Sequence, residues 1–255
     1  MGFQHLLVSD IDGTLLRDGQ ATPGLKALKR LFQTHSDTVA LVYATGRSIA
    51  STLRLVEKGI LPPPQAIAPF VGTEVWLPGW YPSREYSRML EQGWHPIRIQ
   101  RLIREKLALR TQEARFQSYF KLSYFLEDAT LLPQLKALLQ QHRLQAKIVY
   151  SCGEYLDIIP VRAGKASAVR FLCTRWQIEH QNVLACGDSG NDVDMLTVPD
   201  TCNVAVGNLE EELQTLAGSG RFYVAELPYA GGVLEGAAAF DFWPPTEERT
   251  DTATP

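Results

Sequence analysis

The chain has 255 residues, 45% of them apolar, and its 25 basic against 28 acidic residues give a formal net charge of -3. That is enough apolar material for one large core or two smaller ones. Basic residues scattered along a slightly acidic chain argue against nucleic acid as a partner. No apolar run approaches the ~20 residues that cross a bilayer, and no basic stretch followed by an apolar signal core opens the chain, so no membrane association is expected and the expected location is cytoplasmic. Cys152, Cys173, Cys186 and Cys202 form no CxxC pair and no metal-like spacing with the five histidines, so they read as small apolar fillers without disulfides.

In chain order, the first expected element is a strand. Leu6, Leu7 and Val8 form an apolar run that ends at two carboxylates, Asp10 and Asp12, followed by Gly13 and Thr14. Side chains two apart on a strand share a face, so two like charges meet at its end. Thr22 and Pro23 look like an N-cap and first helical residue, leading into an amphipathic helix with Leu25, Leu28, Leu31 and Phe32 on one face. The stretch TVALVYATG is continuously apolar, as a strand buried on both faces should be, and a helix over 48–58 follows it. A third strand is expected in AIAPFVGTEV. Strand and helix units of this kind predict an α/β fold with a doubly wound parallel sheet and its working residues at the carboxyl ends of the strands, where Asp10, Asp12 and Thr45 fall.

The texture changes near residue 81. An aromatic and polar segment leads to a helix bearing Ile97, Ile99, Leu102, Ile103 and Leu107. A strand in FKLSYFLED, a helix over 131–141 and the runs AKIVY and YLDIIP follow, the last two as a hairpin with Gly153 in its turn. The first texture then resumes with a helix from Lys165 to Trp176, the strand NVLACGD, a helix after Gly190 and the strand CNVAVG. A smaller α+β domain, 81–159, is thus expected as an insertion into a core domain made of 1–80 and 160–245, with 246–255 as a polar, disordered tail.

The string GDSGND, from Gly187 to Asp192, follows a predicted strand and places Asp188 and Asp192 at the same sheet edge as Asp10 and Asp12. Four carboxylates in one cleft repel one another and need a cation. Oxygen donors without histidine or cysteine favour Mg²⁺ over Zn²⁺, so Asp10, Asp12, Asp188 and Asp192 are the expected metal site. In that setting Asp10 and Asp12 read as a metal-bound nucleophile beside a proton carrier. Taken singly, each string has an ordinary reading: a DxD turn, a helix-capping threonine, a solvated lysine. Their combination and order carry the functional one.

DIDGT, ATGR at 44–47, Lys165 at a helix start and GDSGND match in order the four motifs of the haloacid dehalogenase superfamily, which the chain therefore resembles. Its inserted segment resembles a type IIB cap. Within the superfamily it is most similar to the sucrose-phosphate phosphatases, through LLVSDIDGT, YATGRS, VGTE, KLSY, SCGEYLDIIP, GDSGND and AGGVLEGAAAFDF. That resemblance implies a Rossmann-like core and a Mg²⁺-dependent hydrolysis of sucrose 6-phosphate through an aspartyl-phosphate, the last step of sucrose synthesis. It implies Asp10 as nucleophile, Asp12 as general acid and base, and Lys165 as a counter-charge. Thr45 and Gly46 would bind the phosphoryl group, with Asn191 orienting its neighbours there. Gly13 and Gly190 would let the backbone turn around the anion.

Arg47, Ser48 and Glu74 on core loops, with Lys121 and Glu154 on the cap, are the expected sugar-binding residues. Trp76, Trp80 and Trp94 read as core or as stacking platforms for sugar. A sucrose-phosphate synthase is a partner the resemblance allows. Phosphatases of trehalose, mannosylglycerate or other glycoside phosphates, a phosphomannomutase-like transferase and a non-catalytic synthase-binding domain stay open as alternatives. Dehalogenation is disfavoured, since it needs no acid such as Asp12.

Overall fold

The structure, a computed structural model, describes residues 2–245, so the tail expected to be disordered lies outside the described residues. The chain begins with β1 (His5–Ser9), a short ribbon of β2 (Leu16–Arg17) and β3 (Gln20–Ala21), and α1 (Leu25–Thr34). It continues through β4 (Val39–Ala44), α2 (Ile49–Glu57), β5 (Ala66–Ala68), the single turn α3 (Pro69–Gly72), and the short strands β6 (Trp76–Leu77) and β7 (Tyr81–Pro82). The middle of the chain forms α4 (Arg84–Glu91), α5 (Pro96–Lys106), β8 (Leu122–Phe125), α6 (Leu132–Gln141), β9 (Ala146–Ser151) and β10 (Tyr155–Pro160). The last part holds α7 (Lys165–Trp176), β11 (Val183–Gly187), β12 (Cys202–Ala205), α8 (Glu211–Gln214), β13 (Tyr223–Val224) and α9 (Tyr229–Ala239).

These strands build an eight-stranded sheet in the order β13-β12-β11-β1-β4-β5-β6-β7 and a three-stranded one in the order β8-β10-β9. The large sheet is parallel from β13 to β5 and antiparallel only at β6 and β7. Its central strands are buried on both faces, which is why they read as continuous apolar runs: Leu6, Val8, Ala40 and Val42 pack into one core, Leu7, Val39, Leu41 and Tyr43 into the other. The chain proceeds from β1 outward to β4 on one side and returns to β11 on the other. A crevice therefore opens at the carboxyl ends of β1 and β11, the place where open α/β sheets hold ligands. The small antiparallel sheet has its own apolar side and is interposed between β7 and α7 in the sequence.

Several expectations change. The large sheet runs on through Pro82, past residue 80, because Tyr81 pairs with Leu77. Thr22 does not cap α1; its hydroxyl donates to the Leu15 carbonyl at 2.6 Å, and Gly24 occupies the N-cap position instead. The third strand is only Ala66–Ala68, because the chain then turns at Phe70 and Val71, both at positive φ, to hydrogen-bond the Thr45–Arg47 loop. After Gly190 there is a single turn, Gly190–Asp192, rather than a helix. Cys173 and Cys186 are buried fillers as expected, whereas Cys152 is exposed in the β9–β10 turn and Cys202 is half-buried; all four are free thiols. Among the described residues no helix is long and apolar enough to cross a membrane.

Candidate active site

The site grows out of the strand ends. Asp10 follows β1, and its N–H donates to the Cys186 carbonyl at 3.0 Å, so the ladder between β1 and β11 extends into the Asp10 loop. Lys165 opens α7, whose entry is tied to the loop after β5 by the Gly164 N–H donating to the Gly72 carbonyl at 3.2 Å. The lysine is fully buried, and its Nζ donates to Asp10 Oδ1 at 2.8 Å and to Asp192 Oδ1 at 2.6 Å. The Thr14 hydroxyl donates to Asp188 Oδ1 at 2.6 Å. Gly13 is required beside it: its φ is +82°, and a Cβ there would come within 2.1 Å of Asp188 Oδ2.

The three carboxylates differ in what they have left to offer. Asp192 Oδ2 accepts the N–H groups of Asp188 and Ser189 at 3.1 and 3.2 Å while its Oδ1 takes the lysine, so both oxygens are engaged. Among the described residues Asp10 Oδ2 and Asp188 Oδ2 accept no hydrogen bond from the protein. Asp10, Asp188 and Asp192 are all buried, with ligand atoms within 4.8 Å of one another. Burial raises the Asp10 carboxyl to about 7, Lys165 opposing the shift and the charges of Asp192 and Asp12 adding to it. Burial also raises Asp188, with Asp10 and Asp192 contributing. Burial works against a charge on Lys165, yet Asp10 and Asp192 hold its pKa above the ordinary value.

One ammonium among three buried carboxylates leaves negative charge uncompensated. The donor set is all oxygen, two of those oxygens are free, and the nearby Asn191 Oδ1 is buried without a partner. These residues fit a hard divalent cation.

The pKa shifts give this fit a test. A carboxyl raised from 3.8 to about 7 binds more protons folded than unfolded in that interval, so its contribution to stability is full below about pH 4 and lost as pH rises through about 7. In chelator the melting temperature is therefore expected to fall across that window. Millimolar Mg²⁺ competes with protons for the same oxygens, so it should raise Tm by roughly 5–10 °C at about pH 8 and little at about pH 5. Thermal denaturation with and without chelator measures this, and a shift equal at both pH values would refute a cation bound by these carboxylates.

Asp12, expected among the metal ligands, is not part of the cluster. Its carboxylate turns outward and is clasped by Arg47, whose Nε donates to Oδ2 and Nη2 to Oδ1, each at 2.6 Å. Thr45 is fully buried; its Oγ1 accepts the Arg47 N–H at 3.2 Å, and its own proton has no acceptor among the described residues. Gly46 and Asn191 line the same cavity as Asp10. A Cβ at Gly46 would meet nothing, so that glycine is not demanded by sterics. Gly190 has a role other than the expected one: a Cβ there would lie 2.5 Å from the Tyr150 carbonyl of β9, so its bareness lets the small sheet approach the Asp188–Asp192 loop.

That approach encloses a cavity of about 610 Å³ with Asp10, Asp12 and Asp188 on one side and the small sheet on the other. Lys121 lines it as expected and is nearly fully buried, its Nζ 2.7 Å from Asp157 Oδ1 and 2.6 Å from Ser123 Oγ. Three other expected sugar-binding residues do not line it. Ser48 caps α2 by accepting from the Ser51 N–H at 3.3 Å, and Glu74 accepts from the Trp76 indole at 2.7 Å, with burial raising its pKa. Glu154 stands in the β9–β10 turn, where its carbonyl accepts from the Leu126 N–H. None of Trp76, Trp80 and Trp94 lines the cavity either.

The wall is instead supplied by residues not singled out from sequence: Gln112, Arg115, Phe116, Phe125, Tyr155 and Asp157. For Asp157 a signal existed, since a lone carboxylate in the apolar run YLDIIP is costly unless it meets a partner, and Tyr155 shares its face.

Comparison with solved structures places this architecture. The X-ray structure of a sucrose-phosphatase from Synechocystis, in complex with sucrose and phosphate, aligns with 95% of this chain and 100% of that one at 30% identity and a TM-score of 0.85. A haloacid dehalogenase subclass IIB sugar phosphatase aligns with 93% of this chain and 99% of its own at 16% identity and a TM-score of 0.68, a likeness of fold. Fold and site together define a phosphatase of the haloacid dehalogenase superfamily. A sequence model described as sucrose-6F-phosphate phosphohydrolase matches residues 3–241, and the chain belongs to that family. Among similar proteins, the mannosylfructose-phosphate phosphatase of Agrobacterium fabrum is 33% identical over 91% of this chain and 95% of its own length. Sucrose-phosphatase 1 of Nicotiana tabacum is 28% identical over 97% of this chain, which spans 61% of that relative.

Proposed function

We propose that the chain hydrolyses sucrose 6-phosphate to sucrose and phosphate, with the segment that follows β7, through residue 159, acting as a cap over the core. The observation that carries this reading is the shared cavity, whose floor holds Asp10, Asp12 and Asp188, with Lys165 buried behind Asp10, and whose roof holds Lys121 and Asp157, which Ser123 joins from behind. Asp10 attacks phosphorus through its free oxygen, forming an aspartyl-phosphate as the bond to the sugar oxygen breaks. Asp12 gives that oxygen a proton and then takes one from the water that hydrolyses the intermediate.

Thr45 donates its free hydroxyl proton to a phosphoryl oxygen, the Gly46 N–H adds a second donor, and Lys165 balances charge as it develops. Asp188 through its free oxygen and Asp10 through the oxygen it shares with Lys165, with Asp192 behind them, would hold Mg²⁺, which supplies positive charge to the phosphoryl oxygens when bound. No step requires a synthase partner.

Arg115, Gln112 and Tyr155 offer donors and acceptors to the ring that does not carry the phosphate. A site built to hydrogen-bond that ring should reject a substrate lacking it, because its polar groups are then left without partners. Sucrose 6-phosphate is thus expected to exceed fructose 6-phosphate in kcat/KM by at least ~10²-fold. Equal values for the two would overturn the assignment. The similarity to a mannosylfructose-phosphate phosphatase favours one rival, a mannosyl ring in place of the glucosyl one, so mannosylfructose phosphate belongs in the same panel. If it, or trehalose 6-phosphate, is the better substrate, that reading replaces sucrose 6-phosphate.

A further inference from the structure

The fork between Arg47 and Asp12 joins residues 35 apart in sequence and fixes both of them. The remaining terminal nitrogen of Arg47, Nη1, donates to Ser51 Oγ on the first turn of α2 at 3.0 Å. Its backbone is held as well, the N–H by Thr45 Oγ1 at 3.2 Å and the carbonyl by the Phe70 N–H at 3.0 Å. The Arg47 side chain is 24% exposed and that of Asp12 49%, so a firmly anchored guanidinium grips a carboxylate that stands open to the cavity. Three of the five guanidinium N–H groups of Arg47 are thus committed to Ser51 and to both oxygens of Asp12, which fixes the plane of the guanidinium. A bidentate pair, in turn, fixes the carboxylate plane and leaves each of its oxygens a further lone pair for a proton.

We propose that Arg47 is a positioning residue for Asp12, setting the orientation from which that carboxyl exchanges its proton, and not a ligand of the sugar. The proposal rests on the acid and base reading of Asp12 given above. In the first half-reaction the phosphorus to sugar-oxygen bond breaks, the phosphorus to Asp10 bond forms, and the proton on Asp12 passes to the departing oxygen. A sugar alkoxide needs that proton, whereas p-nitrophenolate departs without one. Because kcat/KM reports only the steps through release of the leaving group, comparing the two esters isolates the protonation.

The experiment measures kcat/KM for sucrose 6-phosphate and for p-nitrophenyl phosphate in the full-length wild type, Asp12→Asn, Arg47→Gln, Arg47→Lys and the Asp12→Asn/Arg47→Gln double variant. Arg47→Gln is expected to lower the value for the sugar ester by ~10²-fold or more and that for the aryl ester by less than ~5-fold, the pattern of Asp12→Asn. Arg47→Lys, which keeps the charge and cannot form the fork, should follow it and serves if the glutamine variant does not fold. In the Asp12→Asn background the second substitution should add little. Equal losses on both esters in the Arg47 variants, or full activity in Arg47→Lys, would overturn the proposal. Equal losses on both esters in Asp12→Asn would overturn the acid and base reading itself, and the proposal with it.

Discussion

Asp10→Asn is expected to reduce kcat by at least ~10⁴-fold while leaving the protein folded. Asparagine has nearly the same shape, and its carbonyl oxygen still accepts from Lys165, so the packing at the end of β1 is retained. What it lacks is the free anionic oxygen that attacks phosphorus. The variant should also be more stable than the wild type in chelator near neutral pH, because burial resists the charge on Asp10, raising its carboxyl to about 7. Removing a charge held at a cost for chemistry gains stability and loses function together. Beryllium fluoride, which mimics the phosphorylated carboxylate, should be found on Asp10 in a crystal of the wild type. Density for it on another residue, or activity above ~1% in the asparagine variant, excludes Asp10 as the nucleophile.

Lys165→Met has the opposite sign for stability and the same sign for activity. The lysine side chain is fully buried between Asp10 and Asp192, at 2.8 and 2.6 Å. Methionine fills much of the same volume without the ammonium, so two buried carboxylates lose their counter-charge. Breaking a buried ion pair from one side costs about 3–5 kcal/mol, since the partner is left charged in a poor solvent. Chemical denaturation in chelator near pH 7 should show that loss, and at about pH 4 it should shrink, because Asp10 and Asp188 then take up protons. Mg²⁺ should recover part of the stability. It should not recover turnover, expected to be ~10²- to 10³-fold lower because the ammonium of Lys165, fixed against Asp10, no longer meets the developing charge. A methionine variant as stable as wild type in chelator would mean that the three carboxylates do not share the charge balance inferred for them.

The parts of the site that could be read in the sequence are those whose chemistry follows from local position. Asp10, Thr45 and Asp188 each end an apolar strand, and in a parallel sheet the carboxyl ends converge, so their meeting follows from the alternation of strands and helices. Lys165 was readable only through the order of the motifs, since nothing local separates a buried lysine from a solvated one. Asp12 shows the limit of the argument from spacing. Two residues beyond Asp10, it leaves the strand direction at the turn of Gly13 and is captured by Arg47 from the loop that follows the neighbouring strand β4.

Alone, the sequence determined the class of fold and the convergence of Asp10, Asp188 and Asp192, because strand periodicity and strand ends are local properties that any parallel packing must respect. Only the tertiary structure decided which polar groups pair. Glu74 pairs with Trp76 instead of lining the cavity, Asp192 has both oxygens engaged while Asp188 keeps one free, and Asp157 rather than Glu154 meets Lys121. Those choices depend on how closely particular side chains approach: within the small sheet for Lys121 and Asp157, and within the core loops for Glu74 and Asp192. A hydrogen bond forms or fails over a few tenths of an ångström, a scale that residue spacing in a sequence does not encode.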